Sequence, residues 1–227
     1  MKSVSRWVAS LVCLVALGAF GSANASTVTH SVPFGPISVP GGPVVVNLPS
    51  SVAALSPVLI GVELKLVANA DSGSLGVENI ADASGSIVDL GLGATVTAVA
   101  PAAITLIAVP TTTAFGIPLA VFDGSLDFGG TSGYTMPGSF ATDSDTDTPG
   151  VFAPYDEFFS LSSTFSVSIS ANTFSSVVAN GGTVASSPVP GITEGYVQVT
   201  YTYIPEPATA GLLGVAAVGM LRRRRAA

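Results

Sequence analysis

Cysteine and histidine are almost absent from this chain. Its 227 residues include one cysteine, Cys13, and one histidine, His30. These counts exclude a disulfide framework within the chain, a zinc site built from cysteine and histidine, and a catalytic dyad that needs both residue types. The chain therefore lacks the catalytic residues that most hydrolytic and redox enzymes use.

Charged residues are also scarce, and basic ones are concentrated at the two ends. Only 9% of the chain is charged, against about 25% in an ordinary soluble domain. Between residues 26 and 204 there are 13 acidic residues and one basic residue, Lys65, which gives this part a formal charge of −12. Such a charge repels phosphate backbones and anionic lipids. The sequence therefore argues against nucleic-acid binding.

The N-terminus has the three regions of a secretory signal. Basic residues come first, an apolar run follows over residues 7–20, and the small residues Ala23 and Ala25 precede Ser26. This order predicts a signal helix over residues 1–25, cut by signal peptidase between Ala25 and Ser26. Cys13 lies inside the apolar run, so the mature chain is expected to lack cysteine.

The C-terminus combines three further features in a fixed order. The motif Pro205-Glu206-Pro207 comes first. A cluster of four arginines comes last: Arg222, Arg223, Arg224 and Arg225. Between them, the apolar residues 208–221 would span about 21 Å as a helix, short of the ~30 Å hydrocarbon core. We expect a short membrane helix whose arginines stay in the cytoplasm by the positive-inside rule. The two prolines place a non-helical break at the membrane surface.

This C-terminal order resembles the PEP-CTERM sorting signal of exported bacterial proteins, over residues 204–227. The resemblance implies processing by an exosortase, a membrane-embedded cysteine transpeptidase-like enzyme that acts near Pro205-Glu206-Pro207. It also implies a transient stay in the inner membrane of a Gram-negative bacterium, followed by release to the cell surface or extracellular matrix, with exopolysaccharide as an expected partner.

Alternation of apolar and polar residues with period two dominates residues 26–203 and predicts β-strands. The clearest strands cover residues 58–66, 159–169 and 197–203; weaker runs cover residues 44–48, 86–92, 95–99, 104–109, 117–122 and 173–179. About nine short strands separated by Gly, Pro, Asn and Asp turns predict an all-β fold, a β-sandwich or jelly roll. No segment of this part shows a sustained 3.6-residue stripe, so little helix is expected.

The exported part also resembles the all-β choice-of-anchor E domains. The resemblance rests on the opening segment TVTHSVPF (residues 27–34), the long strand LIGVELKL (residues 59–66) and the terminal strand VQVTYTY (residues 197–203). It implies no catalytic residue.

One acidic segment is a candidate metal site. Asp143, Asp145 and Asp147 place alternate carboxylates within residues 142–150, an arrangement that supplies hard oxygen ligands to Ca²⁺. The segment lacks the glycine and the terminal glutamate of an EF-hand loop, so a solvated acidic loop is the other interpretation.

The sequence thus favours a non-catalytic, exported envelope or matrix protein. A calcium-dependent carbohydrate-binding module using the Asp143 segment is the alternative. A third hypothesis, an envelope glycosidase, needs two carboxylates facing each other across a cleft. The adjacent pair Asp156 and Glu157 would point to opposite sides of an extended chain, which does not meet that need.

Overall fold

The structure is a computed structural model of the whole chain. It describes residues 25–38, 41–50, 58–71, 73–138, 140–150, 158, 164–189 and 191–204. Within these ranges the chain is all-β, with antiparallel sheets and a short 3₁₀ helix at Pro101–Ala103. The predicted fold class is therefore confirmed at the level of a β-sandwich-like, all-β protein.

Twelve strands are formed by the described residues. In chain order they are β1 (Ser26–Ser38), β2 (Gly41–Pro49), β3 (Val58–Asp71), β4 (Ser74–Asn79), β5 (Ser86–Val99), β6 (Thr105–Ala108), β7 (Thr111–Leu119), β8 (Gly133–Met136), β9 (Phe140–Asp147), β10 (Thr164–Asn180), β11 (Val184–Val189) and β12 (Ile192–Ile204).

The strands form three sheets. Sheet A has the order β1-β12-β3-β9, and sheet B has the order β2-β10-β5-β6, with β7 also paired to β5. Sheet C has the order β11-β4-β8. The longest pairing joins β10 to β5, antiparallel, from Ser168 opposite Val99 to Asn180 opposite Ile87. Long neighbouring strands of this kind place many backbone groups in one hydrogen-bonded ladder.

The chain divides into two compact units. The larger consists of Thr29–Val52 and Val62–Thr200, and the smaller consists of Met1–Val28, Ala53–Gly61 and Tyr201–Ala227. In the smaller unit the structure describes only strand ends. There, Tyr201 is buried at 1% exposure, and its ring centroid lies 6.4 Å from that of Tyr203.

A hydrophobic cluster in the larger unit packs sheet C against sheet B. Its buried members are Leu75, Val77 and Met136 from sheet C and Val88, Leu90, Leu92 and Leu119 from sheet B. The members from β5 are two residues apart, so they share one face of that strand. The period-two pattern in the sequence thus becomes face-to-face sheet packing, the arrangement of a sandwich.

Several predicted strands have different limits in the structure. The separate runs 86–92 and 95–99 are the single strand β5, and the run 173–179 is the second half of β10. β10 begins at Thr164, and the predicted strand residues 159–163 lie outside the described residues. β7 begins earlier than predicted, at Thr111, and ends at Leu119.

Five strands lie outside the strand runs predicted from the sequence: β1, β4, β8, β9 and β11. Three of them, β4, β8 and β11, form sheet C. Leu75 through Asn79 of β4 are all buried. A strand that is covered on both faces shows no alternation, so its sequence lacks the pattern that identifies the other strands.

No helix in the described part of the chain has the length and apolar character required to cross a membrane. The predicted membrane helix over residues 208–221 lies outside the described residues, as do residues 1–24 of the predicted signal helix over residues 1–25.

Candidate functional site

The acidic segment proposed for calcium is a β-strand and not a loop. Asp143, Asp145 and Asp147 lie in β9, the edge strand of sheet A that pairs antiparallel with β3. The expectation of a loop, common to both interpretations of this segment, is wrong. Aspartate has a low preference for strands, which is why the sequence alone indicates a turn here. Pairing with β3 overrides that preference.

The three carboxylates share the inward face of β9. Each aspartate is directly opposite a buried β3 residue, namely Leu64, Leu66 or Ala68, and side chains of directly opposite residues lie on the same face of a sheet. Inward-pointing charges on an edge strand are one way in which proteins prevent edge-to-edge aggregation. This face of β9 therefore presents carboxylate oxygens, which are hydrogen-bond acceptors, to the edge of another sheet.

That other edge belongs to β6. The backbone N–H of Ile107 donates to Asp145 Oδ2 at 2.8 Å, and the backbone N–H of Val109 donates to Asp143 Oδ2 at 2.6 Å. β6 is the last strand of sheet B beyond β5, so without these bonds its outward amides would have no strand partner. The two carboxylates link the edges of sheets A and B.

These bonds bear on the calcium hypothesis. Both oxygens of Asp145 already accept backbone hydrogen bonds, since Oδ1 accepts from the N–H of Thr146 at 2.8 Å in addition to the bond from Ile107. One oxygen of Asp143 accepts from Val109, and Asp147 Oδ1 accepts from the N–H of Thr148 at 2.7 Å. In the ranges that the structure describes, no three His, Cys, Asp or Glu side chains are grouped so as to hold a metal ion. Calcium binding at these aspartates stays a prediction.

The residues of the two sorting signals are mostly outside the described residues. This applies to Ala23, Pro205, Glu206, Pro207 and the four arginines at 222–225. It also applies to the adjacent pair Asp156 and Glu157. Ala25 and Ser26 are described, both are exposed, and β1 begins at Ser26.

A buried glutamate in sheet C was not singled out from the sequence. Glu78 of β4 has 0% exposure, and neither of its carboxylate oxygens has a hydrogen-bond partner. Its neighbour Asn79 is equally buried but is fully engaged: its side-chain amide donates to the carbonyls of Ser84 and Ala120, and its Oδ1 accepts from the N–H of Ala81. The sequence feature that could have pointed to this residue is that Glu78 is the single charged residue in the run SLGVEN (residues 74–79).

A glycine-rich acidic segment covers the face of sheet C on which Glu78 lies. This segment, residues 123–130, reads DGSLDFGG, and we call it the acidic loop. Phe128 adopts a left-handed φ of 58°, and its side chain fills the space that a Cβ on Gly76 would occupy. Thr135 Oγ1 donates to the carbonyl of Phe128 at 3.0 Å, which ties the loop to β8.

A pocket of about 250 Å³ lies beside β10 and β11. Its lining consists of Leu92, Thr173, Phe174, Ser175, Pro188 and Val189. None of these side chains is an acid or a base in the physiological range. The pocket therefore offers hydroxyl and apolar contacts, and no acid–base pair.

Comparison with known proteins gives no family for this chain. No family model matches it, and no curated protein matches it. Three of the solved structures with some similarity come from infectious bursal disease virus: the Gx strain, the VP2 subviral particle and the T=1 particle. They show 14%, 14% and 16% identity and TM-scores of 0.13, 0.16 and 0.11 over 89% of this chain. The chain spans about half of each of these (49%, 50% and 47%), and TM-scores this low carry no argument.

Proposed function

We propose that this protein is a non-catalytic, exported component of a Gram-negative cell envelope or extracellular matrix, sorted and processed at its C-terminus. A secretory signal over residues 1–25 and a PEP-CTERM-like segment over residues 204–227 enclose an all-β domain, of sandwich or jelly-roll type, over residues 26–203. Signal peptidase and an exosortase are the processing partners. The single observation that carries the proposal is the C-terminal order of Pro205-Glu206-Pro207, an apolar run and four arginines.

Two properties of the β domain support this proposal. Its formal charge of −12 keeps it apart from anionic lipid and from other copies of itself. Its β6 edge is capped by carboxylates of β9, which opposes edge-to-edge pairing at high local concentration. Both properties suit a protein that accumulates outside the cell.

The sorting motif is tested by changing Glu206 to Ala. Export should continue because the N-terminal signal is intact, but an unprocessed form should accumulate in the inner membrane. Cell fractionation with an antibody to the β domain measures both. The matched control is Glu194→Ala, which removes an exposed glutamate of β12 upstream of the motif. Release of Glu206→Ala at the control's size and rate would contradict the proposal.

Deletion of residues 222–225 tests the membrane anchor separately. Each arginine costs about 2.5 to 3.5 kcal/mol at mid-bilayer on the insertion scale, so the cluster holds the C-terminus in the cytoplasm. Without it, the short apolar segment should pass through the membrane, and the precursor should appear unprocessed in the periplasm. Wild-type processing of the deletion variant would show that the arginines have no anchoring role.

The alternative function is a calcium-dependent carbohydrate-binding module that uses Asp143, Asp145 and Asp147. The bonds from β6 to two of these carboxylates compete with metal coordination, and for this reason we place the alternative second. Replacing Asp145 with Ala should weaken calcium binding if the alternative holds.

A further inference from the structure

Sheet B carries almost no charge, although it belongs to a strongly acidic domain. Its five strands contain a single charged residue, Asp89 of β5. One oxygen of this carboxylate, Oδ1, accepts from the N–H of Gly116 at 2.7 Å. The other acidic residues between positions 26 and 204 lie on other parts of the chain. Sheet B is thus a neutral area in a domain whose formal charge is −12.

The two faces of sheet B differ in chemistry. On β5, Val88, Leu90 and Leu92 pack inward against sheet C, so the residues between them face outward. Residues directly opposite one another on neighbouring strands share a face. The outward residues around the middle of β5 are therefore mainly hydroxyl and amide residues, with one aromatic: Thr95, Thr97, Ser170, Asn172, Phe174, Ser176, Thr111 and Thr113.

Two glycines in the middle of β5 keep this outward face flat. A Cβ on Gly93 would lie 2.9 Å from Cζ of Phe174, and a Cβ on Gly91 would lie 2.6 Å from Oγ of Ser176. The aromatic ring and the hydroxyl therefore lie across β5, in the space that side chains of β5 would fill. Phe174 is half-buried, so its ring rests on the sheet and still exposes part of its surface. Glycine in a strand interior often marks a place where a ligand approaches closely.

A second aromatic ring lies on the same side of the sheet. Phe115 of β7 is 71% exposed and lies in the bulge opposite Asp89. Thr113, two residues before it, is opposite Gly91 and faces outward, so Phe115 faces outward as well. A diagonal from Phe174 to Phe115 crosses two strand spacings and four residues, about 16 Å between Cα atoms in a regular sheet. This diagonal passes over Gly91.

The chemistry of this face matches a neutral polysaccharide. A sugar ring has an apolar C–H face that packs on an aromatic ring, and hydroxyls at its rim that exchange hydrogen bonds with Ser, Thr and Asn side chains. Two aromatic rings far apart on a flat face suit an extended polymer better than a single sugar. The acidity of the domain repels an anionic polymer, and a cationic polymer would bind to the acidic segments outside sheet B.

We propose that the outward face of sheet B binds a neutral polysaccharide, whose sugar rings stack on Phe174 and Phe115. Ser176 and Thr113 supply hydroxyls beside the diagonal that joins the two rings. This inference deepens the proposed function and rests on it, because an exported matrix protein meets polysaccharide outside the cell. It needs no calcium, and it does not involve the β9 aspartates, which belong to sheet A.

The test is native electrophoresis of the full chain, purified in mild detergent, through gels that contain hydroxyethylcellulose, galactomannan or alginate. The two neutral polymers should retard the wild type equally in EDTA and in calcium, and the anionic alginate should not. Phe115→Ala should raise the Kd for a neutral polymer at least about fivefold, because it removes one stacking surface. The fold should survive this change, since Phe115 is mostly exposed.

Three further variants locate the binding face. Phe174→Tyr keeps the ring and should bind like the wild type, whereas Phe174→Ala should lose binding. Because Phe174 covers Gly93, its loss can also destabilise the sheet, and Phe115→Ala then decides the question. Leu126→Ala is the matched control: it removes a side chain that is 57% exposed in the acidic loop, outside sheet B, and should leave binding unchanged.

Four results of the gels would overturn the proposal: neither neutral polymer retards the wild type, Phe115→Ala binds like Leu126→Ala, alginate binds as tightly as the neutral polymers, or EDTA abolishes binding. A second copy of the chain is the other occupant that the test must detect. If sedimentation velocity shows that Phe115→Ala loses self-association while its polysaccharide binding persists, the face is an interface between copies and the proposal is wrong.

The sorting proposal is separated by cell fractionation of Phe115→Ala. This variant should be exported and processed like the wild type, because both terminal signals are intact. Failure of polysaccharide binding with normal processing would overturn only the present inference. Normal processing of Glu206→Ala would overturn only the sorting proposal, since the gels use purified protein.

Discussion

The carboxylates of Asp143 and Asp145 show how one residue type can serve a different purpose from the one that its spacing suggests. Their period-two spacing places them on one face of a strand, and that face is turned towards the amides of β6. A carboxylate that accepts a backbone N–H bond contributes about 1.5 to 3 kcal/mol when the site is protected from water. Both residues are half-buried, so we expect the lower part of this range.

The first prediction concerns this pair. Replacing Asp143 and Asp145 together with Ala should lower the free energy of unfolding by about 3 kcal/mol, because the amides of Ile107 in β6 and of Val109 directly after it each lose an acceptor. Urea denaturation measures the change, and light scattering should show increased association through the opened edge.

Asp147→Ala is the matched control for that double variant. Asp147 lies on the same strand and face, but its Oδ1 accepts from the adjacent Thr148. An equal loss of stability in the control would mean that the loss comes from the charge of β9 and not from the bonds to β6.

The second prediction concerns Gly133. Its replacement by Ala would drive a Cβ into the backbone of Gly129 and the carboxylate of Glu78, and overpacking of this kind costs about 1 to 3 kcal/mol. The melting temperature should fall. Gly61→Ala is the control because its Cβ would meet Thr202 at an ordinary 3.6 Å. Unchanged stability of Gly133→Ala would show that the acidic loop moves aside freely.

At the scale of elements, β10 combines a buried half and an exposed half in one strand. Phe165, Val167 and Ile169 are at most 5% exposed, whereas Val178 is 64% exposed. The first half alternates strictly between apolar and Ser residues, and this pattern identified it in the sequence. The second half continues because it remains paired with β5 up to Asn180.

The third prediction follows from this contrast within β10. Ile169→Ala should cost about 2 to 5 kcal/mol, because it removes a fully buried side chain and leaves a cavity. Val178→Ala should stay within about 0.5 kcal/mol, the usual limit for surface changes. Urea titrations of both variants provide the comparison. Equal effects would mean that the two halves of β10 are equally buried in solution.

Elements whose sequence alternates were predictable, and elements without alternation were not. The burial of β3 alternates from Val62 to Leu66 as the sequence indicates. β4 is covered on both faces, and β9 is rich in aspartate, so neither carries the apolar alternation of a half-buried strand. For these strands, the neighbours decided the conformation.

At the scale of the whole molecule, the balance of charge and the β content set the behaviour in solution. The fourth prediction is that circular dichroism of the exported protein shows a β spectrum. Helix content should stay well below about a third, the level of an average domain, since the described exported residues contain no α-helix. A larger helix fraction would show that the described sheets do not represent the exported protein.

The fifth prediction concerns the start of the mature chain. Mass spectrometry of exported material should find Ser26 at the N-terminus, because Ala23 and Ala25 supply the small side chains that signal peptidase requires. The control is Ala25→Leu, which should slow cleavage and leave a longer form. An exported wild-type chain that still begins at Met1 would contradict the assignment of a signal peptide.

The sequence by itself determined the all-β class, the buried faces of the alternating strands, and the acidity of the region between the two ends. These properties are local or additive, since period-two patterns and formal charge need no knowledge of which strands become neighbours. Tertiary structure alone decided that β9 is a strand whose aspartates cap β6, and that Glu78 is buried without a partner beneath the acidic loop. Both depend on contacts between segments far apart in the chain, and a carboxylate's role is set by the groups that such contacts bring to it.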